Sequence, residues 1–173
     1  GALALALTAG TALADDHLKF KPGEGAFNWG SYDAYKGSAP DLKGADLSIF
    51  GPWTGPEKDN FNALLEYFNA ATGAKATFAG SDSFEQQIGM DAEAGSAPNI
   101  SVFPQPGLAA NLASKGQLAP LSADVKNYVT DNFAAGSSWV DLGTYANKAG
   151  ADDFYGFFFN VNVKSLVWYV PDN

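Results

Sequence analysis

The sequence contains no cysteine and no arginine, and His17 is its single histidine. Without cysteine, disulfides, thiolate metal sites, cysteine nucleophiles and iron–sulfur clusters are excluded. A Ser-His-Asp triad would have to use a histidine in the loose start of the chain, and a zinc site would lack histidine and cysteine partners. We therefore expect neither a metal site nor a cofactor, and no catalytic site built on cysteine or histidine.

Positive charge is also scarce, because ten lysines face 19 acidic residues and the formal net charge is -9. A chain of this charge cannot neutralise a run of phosphates, which argues against nucleic acid as a partner. It also disfavours an anionic membrane surface. The segment GPWTGP, residues 51–56, lacks the Gly-Lys-Ser/Thr ending of a phosphate-binding P-loop.

The chain has 173 residues, of which 46% are hydrophobic and 14% aromatic. This is enough for one domain with a core, and too short for two comfortable ones. Residues 1–14 (GALALALTAGTALA) are small and apolar and end in an A-x-A pattern. They predict the remnant of a signal peptide that is cleaved after Ala14, and hence export. Residues 15–44 show no sustained period and predict an irregular lead-in.

Strand and helix patterns alternate from residue 45 to 153. Short apolar runs predict strands at Ala45–Phe50, Lys75–Ala79 and Asn99–Phe103. Helical periods or caps predict three helices, Thr54 to Gly73, Asp82 to Gly95 and Leu108–Ser114. The first has an apolar stripe of Phe61, Leu64, Leu65 and Phe68. The second has an apolar stripe that includes Phe84 and Ile88. Thr54 with Glu57, and Asp82 with Glu85, fit capping boxes. A helical or irregular stretch follows over Ser122–Phe133.

This alternation predicts an α/β fold, with a mostly parallel sheet and helices on both faces. Ligands of such sheets bind beyond the carboxyl ends of the strands. Those ends carry the candidate ligand-binding residues Trp53, Thr54, Ser81, Asp82 and Gln105. They would bring an indole, hydroxyls, a carboxylate and an amide to one edge.

The aromatic, β-branched segment Tyr155–Tyr169 (YGFFFNVNVKSLVWY) predicts a further strand. By strand alternation, Asn160, Asn162 and Lys164 share one side of it. Lys164 is either an edge residue in water or a donor to a ligand in a cleft. Trp168 is a second candidate for an aromatic contact with a ligand.

Sugar recognition suits these residue types. A pyranose offers an apolar C–H face to an aromatic ring and a rim of hydroxyls to short polar side chains. A glycosidase would instead need paired carboxylates, for which Glu57, Asp82 and Glu85 are the candidates. Each of these three carboxylates is also explained by helix capping.

Three ordered segments, LSIFGPWTGPEKDNFNALLEYFNAATG, SDSFEQQIGMDAEAGSAPNISVFPQPGLAANLASKGQLAPL and YGFFFNVNVKSLVWY, carry a resemblance to a known family. The chain resembles the bacterial extracellular solute-binding proteins of the maltose-binding-protein-like group, which serve sugar ABC transporters. Within that family it is most similar to the substrate-binding proteins of alpha-glucoside transporters. The resemblance covers the chain from about Phe27 to Asn173.

The resemblance implies two α/β lobes that close on a ligand by a hinge motion. Members are more than twice as long as this chain, so residues 45–153 would form most of the first lobe. Residues 154–173 would be the start of a strand that crosses toward the second lobe. Carried over position by position, the resemblance implies a ligand site that includes Trp53, Thr54, Ser81, Asp82, Gln105, Asn162, Lys164 and Ser165. The maltose binders have a carboxylate in the crossing strand where this chain has VNVKS, which argues against maltodextrin as the ligand.

We therefore expect a monomeric periplasmic protein that binds a neutral alpha-glucoside or disaccharide. Its protein partners would be the permease subunits of an ABC importer in the inner membrane. Two alternatives stay open. One is the same fold with another solute, a polyamine or glycerol phosphate, although the lack of arginine disfavours an anion. The other is a fragment of a secreted glycoside hydrolase.

Overall fold

The computed structural model describes residues 18–160, and the chain divides into two compact units, Gly1–Pro104 and Gln105–Asn173. In the first unit the described elements are, in chain order, α1 (Trp29–Ser38), β1 (Asp46–Gly51), α2 (Gly55–Thr72), β2 (Lys75–Gly80), α3 (Phe84–Ala94) and β3 (Ile100–Ser101). In the second they are α4 (Pro106–Ser114), α5 (Ala123–Asn132), α6 (Ser137–Leu142), β4 (Thr144–Ala146) and β5 (Asp152–Phe154). The predicted signal peptide, His17, Asn162, Lys164, Ser165 and Trp168 lie outside the described residues.

The sheet of the first unit is parallel, with strand order β2-β1-β3. β1 pairs with β2 along its whole length, from Asp46↔Lys75 to Gly51↔Gly80. β3 is shorter than the predicted strand. Among the described residues it pairs with β1 at two positions, Ile49↔Ile100 and Phe50↔Ser101. The predicted α/β class with a parallel sheet is confirmed.

Helices cover both faces of this sheet, as predicted. Ile49 and Phe50 are consecutive in β1 and therefore point to opposite faces. Ile49 packs in a core cluster with Leu65 of α2 and Phe78 of β2. Phe50 contacts Phe84 of α3, with 5.0 Å between the ring centroids. α2 and α3 therefore bury the two faces separately.

The helix ends agree with the sequence at both C-termini and at the N-cap of α2, but not at the N-cap of α3. Gly73 and Gly95 end α2 and α3 in the left-handed region, with φ of 74° and 73°. Neither predicted capping box forms. Thr54 is the N-cap of α2 but its side chain makes no cap hydrogen bond, and the N-cap of α3 is Ser83 rather than Asp82. The Thr54 hydroxyl instead donates to Asp82.

The predicted irregular lead-in contains a helix, α1, and this part of the prediction is wrong. Asn28 caps α1 by accepting a hydrogen bond from the Ser31 N–H at 3.1 Å. The helix buries a single residue, Tyr32, in a hydrophobic cluster with Leu18 and Tyr67. Tyr67 belongs to α2, whose predicted apolar stripe is also imperfect, since Leu64 is 54% exposed.

A side chain of α2 closes part of the open edge of the sheet. Lys75 N–H donates to Ala45 O, so the backbone groups of Lys75 point toward β1. The backbone groups of the next residue, Ala76, therefore point away from β1, toward the open edge. Asn69 Oδ1 accepts from Ala76 N–H at 2.7 Å, and Asn69 Nδ2 donates to Ala76 O at 3.1 Å. Asn69 thus binds both backbone groups of Ala76, as a neighbouring strand would.

Asn69→Ala should lower the free energy of unfolding by about 1–3 kcal/mol, because Ala76 is buried and its two backbone groups would lose their partner. Urea denaturation followed by circular dichroism measures the change. Asn62→Ala, on the same helix, is the control and should stay within about 0.5 kcal/mol of the wild type. Equal losses in the two variants would contradict the role assigned to Asn69.

The second unit is built from helices α4 to α6 and the antiparallel hairpin β4–β5. Its core includes Val129, Val140 and Phe154. Of the two readings left open for Ser122–Phe133, helical or irregular, the structure shows the helix α5, with Ser122 as its N-cap. The strand predicted from Tyr155 onward is wrong over residues 155–160, which are neither helix nor strand. The rest of that segment lies outside the described residues.

Candidate functional site

The carboxyl ends of β1, β2 and β3 meet at one edge of the first unit, where the sequence analysis places the ligand. A pocket of about 250 Å³ opens there, which we name the sheet-edge pocket. Its lining comes from the turns after the strands and from the first turn of α3: Pro52, Asp82, Ser83, Phe84, Glu85, Gln86 and Pro104. Pockets for small molecules commonly form at this edge of α/β sheets.

Two predicted site residues, Thr54 and Asp82, are brought together beside this pocket. Thr54 Oγ1 donates a hydrogen bond to Asp82 Oδ1 at 3.2 Å, and both side chains are exposed. Within residues 18–160 the second carboxylate oxygen of Asp82 has no hydrogen-bond partner, so it can accept a hydrogen bond from a ligand hydroxyl. Ser81 lies in the same turn, and its Oγ accepts from the Ser83 N–H at 3.1 Å.

Trp53 is half-buried and packs on the core rather than lining the sheet-edge pocket. Its ring centroid lies 5.2 Å from that of Phe61 and 5.8 Å from that of Phe78. Both partners belong to, or pack against, the cluster under α2. A ligand contact of Trp53 remains a prediction, and it would involve the part of the indole that the core leaves exposed.

Gln105 belongs to the second unit, where it is the exposed N-cap residue of α4 and its side chain makes no cap hydrogen bond. Asn162, Lys164, Ser165 and Trp168 lie outside the described residues. Their assignment to the site remains a prediction.

Sequence reasoning missed several of the polar residues that line the pocket. Ser83 and Gln86 are three residues apart at the start of α3, and this spacing places them on one side of the helix. Glu85 was interpreted as a capping residue, but α3 shows no side-chain cap hydrogen bond from Ser83 and Glu85 lines the pocket. Their position in the sequence could have identified them, because they follow the carboxyl end of β2 within a few residues.

The sheet-edge pocket is acidic. Its lining includes two carboxylates, Asp82 and Glu85, and no lysine. Between residues 18 and 160, no group of three or more His, Cys, Asp or Glu side chains is placed to hold a metal ion. Such a lining favours hydroxyl or amine donors and disfavours anions.

Two phenols of the second unit stay protonated well above neutral pH. Burial raises the pKa of Tyr145 above its ordinary value of 10. The pKa of Tyr155 is also raised, first by desolvation and then by the Asp153 carboxylate. The rings are nearly parallel, with centroids 6.5 Å apart. Both hydroxyls can therefore act as neutral hydrogen-bond donors at physiological pH.

Comparison with known proteins agrees with this geometry. The family described as bacterial extracellular solute-binding protein matches residues 54–172. The alpha-glucosides-binding periplasmic protein AglE of Rhizobium meliloti is 49% identical over 100% of this chain. The osmoprotective compounds-binding protein GgtB of Synechocystis is 31% identical over 72% of it.

The matched regions cover 39% of the length of AglE and 28% of that of GgtB, so the chain spans well under half of either relative. Of the helices in residues 18–160, none has the length and hydropathy that a membrane crossing requires. The family match covers most of the chain. The chain belongs to the family of bacterial extracellular solute-binding proteins.

Proposed function

We propose that the protein is the substrate-binding component of an ABC sugar importer and binds a neutral alpha-glucoside or disaccharide. The observation that carries the proposal is the 49% identity, along the whole chain, to a protein named for binding alpha-glucosides. The sheet-edge pocket supports it, because the hydroxyl of Ser83, the carboxylates of Asp82 and Glu85 and the amide of Gln86 line it. These are the groups with which proteins bind sugar hydroxyls.

In this proposal residues 45–153 supply most of one lobe, and residues 154–173 begin the crossing toward the other. Residues 1–14 are the signal peptide, cleaved after Ala14, and the mature protein works in the periplasm as a monomer. It delivers the sugar to permease subunits in the inner membrane. It breaks no bond in the sugar, so none of its residues is catalytic.

A second candidate is another solute bound by the same fold. The 31% identity to a protein named for binding osmoprotective compounds favours this candidate. A polyamine would find Asp82 and Glu85 in the pocket, whereas glycerol phosphate would find no cation among the lining residues.

The test is a binding panel on the full-length gene product. Isothermal titration calorimetry with maltose, trehalose, sucrose, glycerol, spermidine and glycerol phosphate separates the candidates. Saturable binding of at least one alpha-linked disaccharide, together with no release of glucose over hours, supports the proposal. Binding of spermidine alone would favour the polyamine alternative. Steady hydrolysis of a disaccharide would favour the glycoside hydrolase alternative.

Asp82→Asn should weaken binding of the disaccharide by about tenfold or more, because a hydrogen bond to a charged acceptor contributes about 1.5–3 kcal/mol. The amide keeps the size of the side chain but replaces one acceptor oxygen by a donor. Asp59→Asn is the control, since Asp59 is exposed on α2 and does not line the pocket. Equal affinities of the two variants would remove Asp82 from the site.

A further inference from the structure

The turn after β1 rests directly on the last residue of β2. Gly80 ends β2, and a Cβ built on it would overlap the carbonyl group of Trp53. The same Cβ would lie 3.2 Å from the ring of Phe78, two residues earlier in the same strand. Gly80 does not have a positive φ, so this position needs glycine for space and not for an unusual backbone conformation.

A second contact joins the same two turns a few residues further along. Thr54, the neighbour of Trp53, donates to Asp82 at 3.2 Å. Between the two strands, Ser81 N–H donates to Gly51 O at 3.1 Å. The turn between β1 and α2 and the turn between β2 and α3 are therefore held together by a backbone contact at Gly80 and a side-chain contact at Asp82.

We propose that Gly80 is a positioning residue of the sheet-edge pocket: its missing side chain lets the Trp53–Thr54 turn approach β2 closely enough for Thr54 to hold the Asp82 carboxylate. This inference rests on the proposed function, since the Asp82 carboxylate is the group offered to the sugar. Gly80 itself does not line the pocket. Its effect on the ligand passes through the backbone of Trp53 and the hydroxyl of Thr54.

An alanine at Gly80 leaves the turn no alternative but to move. The nearest atoms are the backbone carbonyl oxygen and carbon of Trp53, which cannot rotate away as the end of a flexible side chain can. Gly80 is paired with Gly51 at the end of the β1–β2 ladder, which limits how far the strand can retreat. Displacement of the turn would pull Thr54 from Asp82, and a binding site loses affinity when its supporting groups are left unfixed.

The test measures sugar affinity in the full-length gene product with the variants Gly80→Ala, Thr54→Val and the double variant, at a temperature where each is folded. Gly89→Ala is the matched control, because nothing lies within 4 Å of a Cβ at Gly89. Using the disaccharide of the panel that the wild type binds, we expect Gly80→Ala to weaken binding about tenfold and Gly89→Ala to leave it unchanged. In the Thr54→Val background, Gly80→Ala should cost less than about threefold, because the contact it disturbs is already gone.

Hydrogen exchange followed by mass spectrometry gives a second measurement that needs no ligand. Gly80→Ala should speed exchange in peptides that cover residues 51–56 and 80–86, and leave α5 as in the wild type. If Gly80→Ala does not accumulate as folded protein, Thr54→Val decides: unchanged exchange and unchanged affinity in that variant overturn the inference.

The two proposals fail in different ways. If the wild type binds no sugar of the panel, the proposed function fails and the exchange experiment still judges the coupling of the two turns. If the wild type binds sugar and Gly80→Ala binds it equally well, or if the double variant shows simple additivity, the positioning role of Gly80 is wrong while the proposed function stands.

Discussion

Replacing Phe84 by alanine should lower the free energy of unfolding by about 3–5 kcal/mol, the range for an aromatic ring removed from a packed core. Phe84 is 1% exposed, and its ring centroid lies 5.0 Å from that of Phe50 and 5.6 Å from that of Phe103. It lies between α3 and the sheet face that α2 does not cover. Phe50 belongs to β1 and is itself buried, so it has little freedom to move into the space that the ring would leave.

Urea denaturation followed by circular dichroism measures this loss, and Met90→Ala provides the comparison on the same helix. Met90 is 63% exposed, so its replacement should change the free energy of unfolding by no more than about 0.5 kcal/mol. A similar small loss for Phe84→Ala would mean that α3 does not depend on this ring for its attachment to the sheet.

The elements that could be predicted from sequence are those whose local pattern and tertiary environment agree. β1 and β2 are short apolar runs between turn residues, and α2 and α3 end at glycines that adopt the left-handed conformation. Such agreement between levels marks the parts of a fold that a sequence specifies most strongly. The parallel sheet followed from their alternation.

The elements that were missed depend on contacts distant in sequence. α1 contains Gly30 and Gly37, both poor helix formers, and buries only Tyr32, whose partners Leu18 and Tyr67 lie elsewhere in the chain. The run of phenylalanines at 157–159 has high strand propensity, but strand formation depends on tertiary context, and these residues are not in a strand. Propensity alone could not reveal either outcome.

For the site, the sheet edge could be predicted but the direction of individual side chains could not. The general rule for parallel sheets located the turns that carry Thr54 and Asp82. The orientation of Trp53 depends on Phe61 and Phe78, which fill the space under its ring. The capping pattern at Thr54 was misleading because a hydroxyl can hydrogen-bond either its own helix or a neighbouring turn, and the carboxylate of Asp82 is within reach.

Gly143→Ala should lower the free energy of unfolding of the second unit by about 3 kcal/mol, at the upper end of the cost of overpacking. Gly143 ends α6, and a Cβ there would overlap the carbonyl oxygen of Gly156 and lie 3.0 Å from the Phe154 ring. The carbonyl oxygen of Gly143 also accepts from Tyr155 N–H at 2.9 Å and Gly156 N–H at 3.3 Å. Movement to relieve the overlap would therefore break the hydrogen bonds that attach residues after β5 to the end of α6.

Gly156→Ala separates this steric cause from any general intolerance of alanine, because it changes the other member of the same contact. Nothing lies within 4 Å of a Cβ at Gly156, and its φ is not in the left-handed region. We expect it to stay within about 0.5 kcal/mol of the wild type in urea denaturation. Hydrogen exchange of a peptide covering residues 143–156 should rise in Gly143→Ala and not in Gly156→Ala. Equal behaviour of the two variants would show that the close approach of these glycine backbones does not limit the stability of the unit.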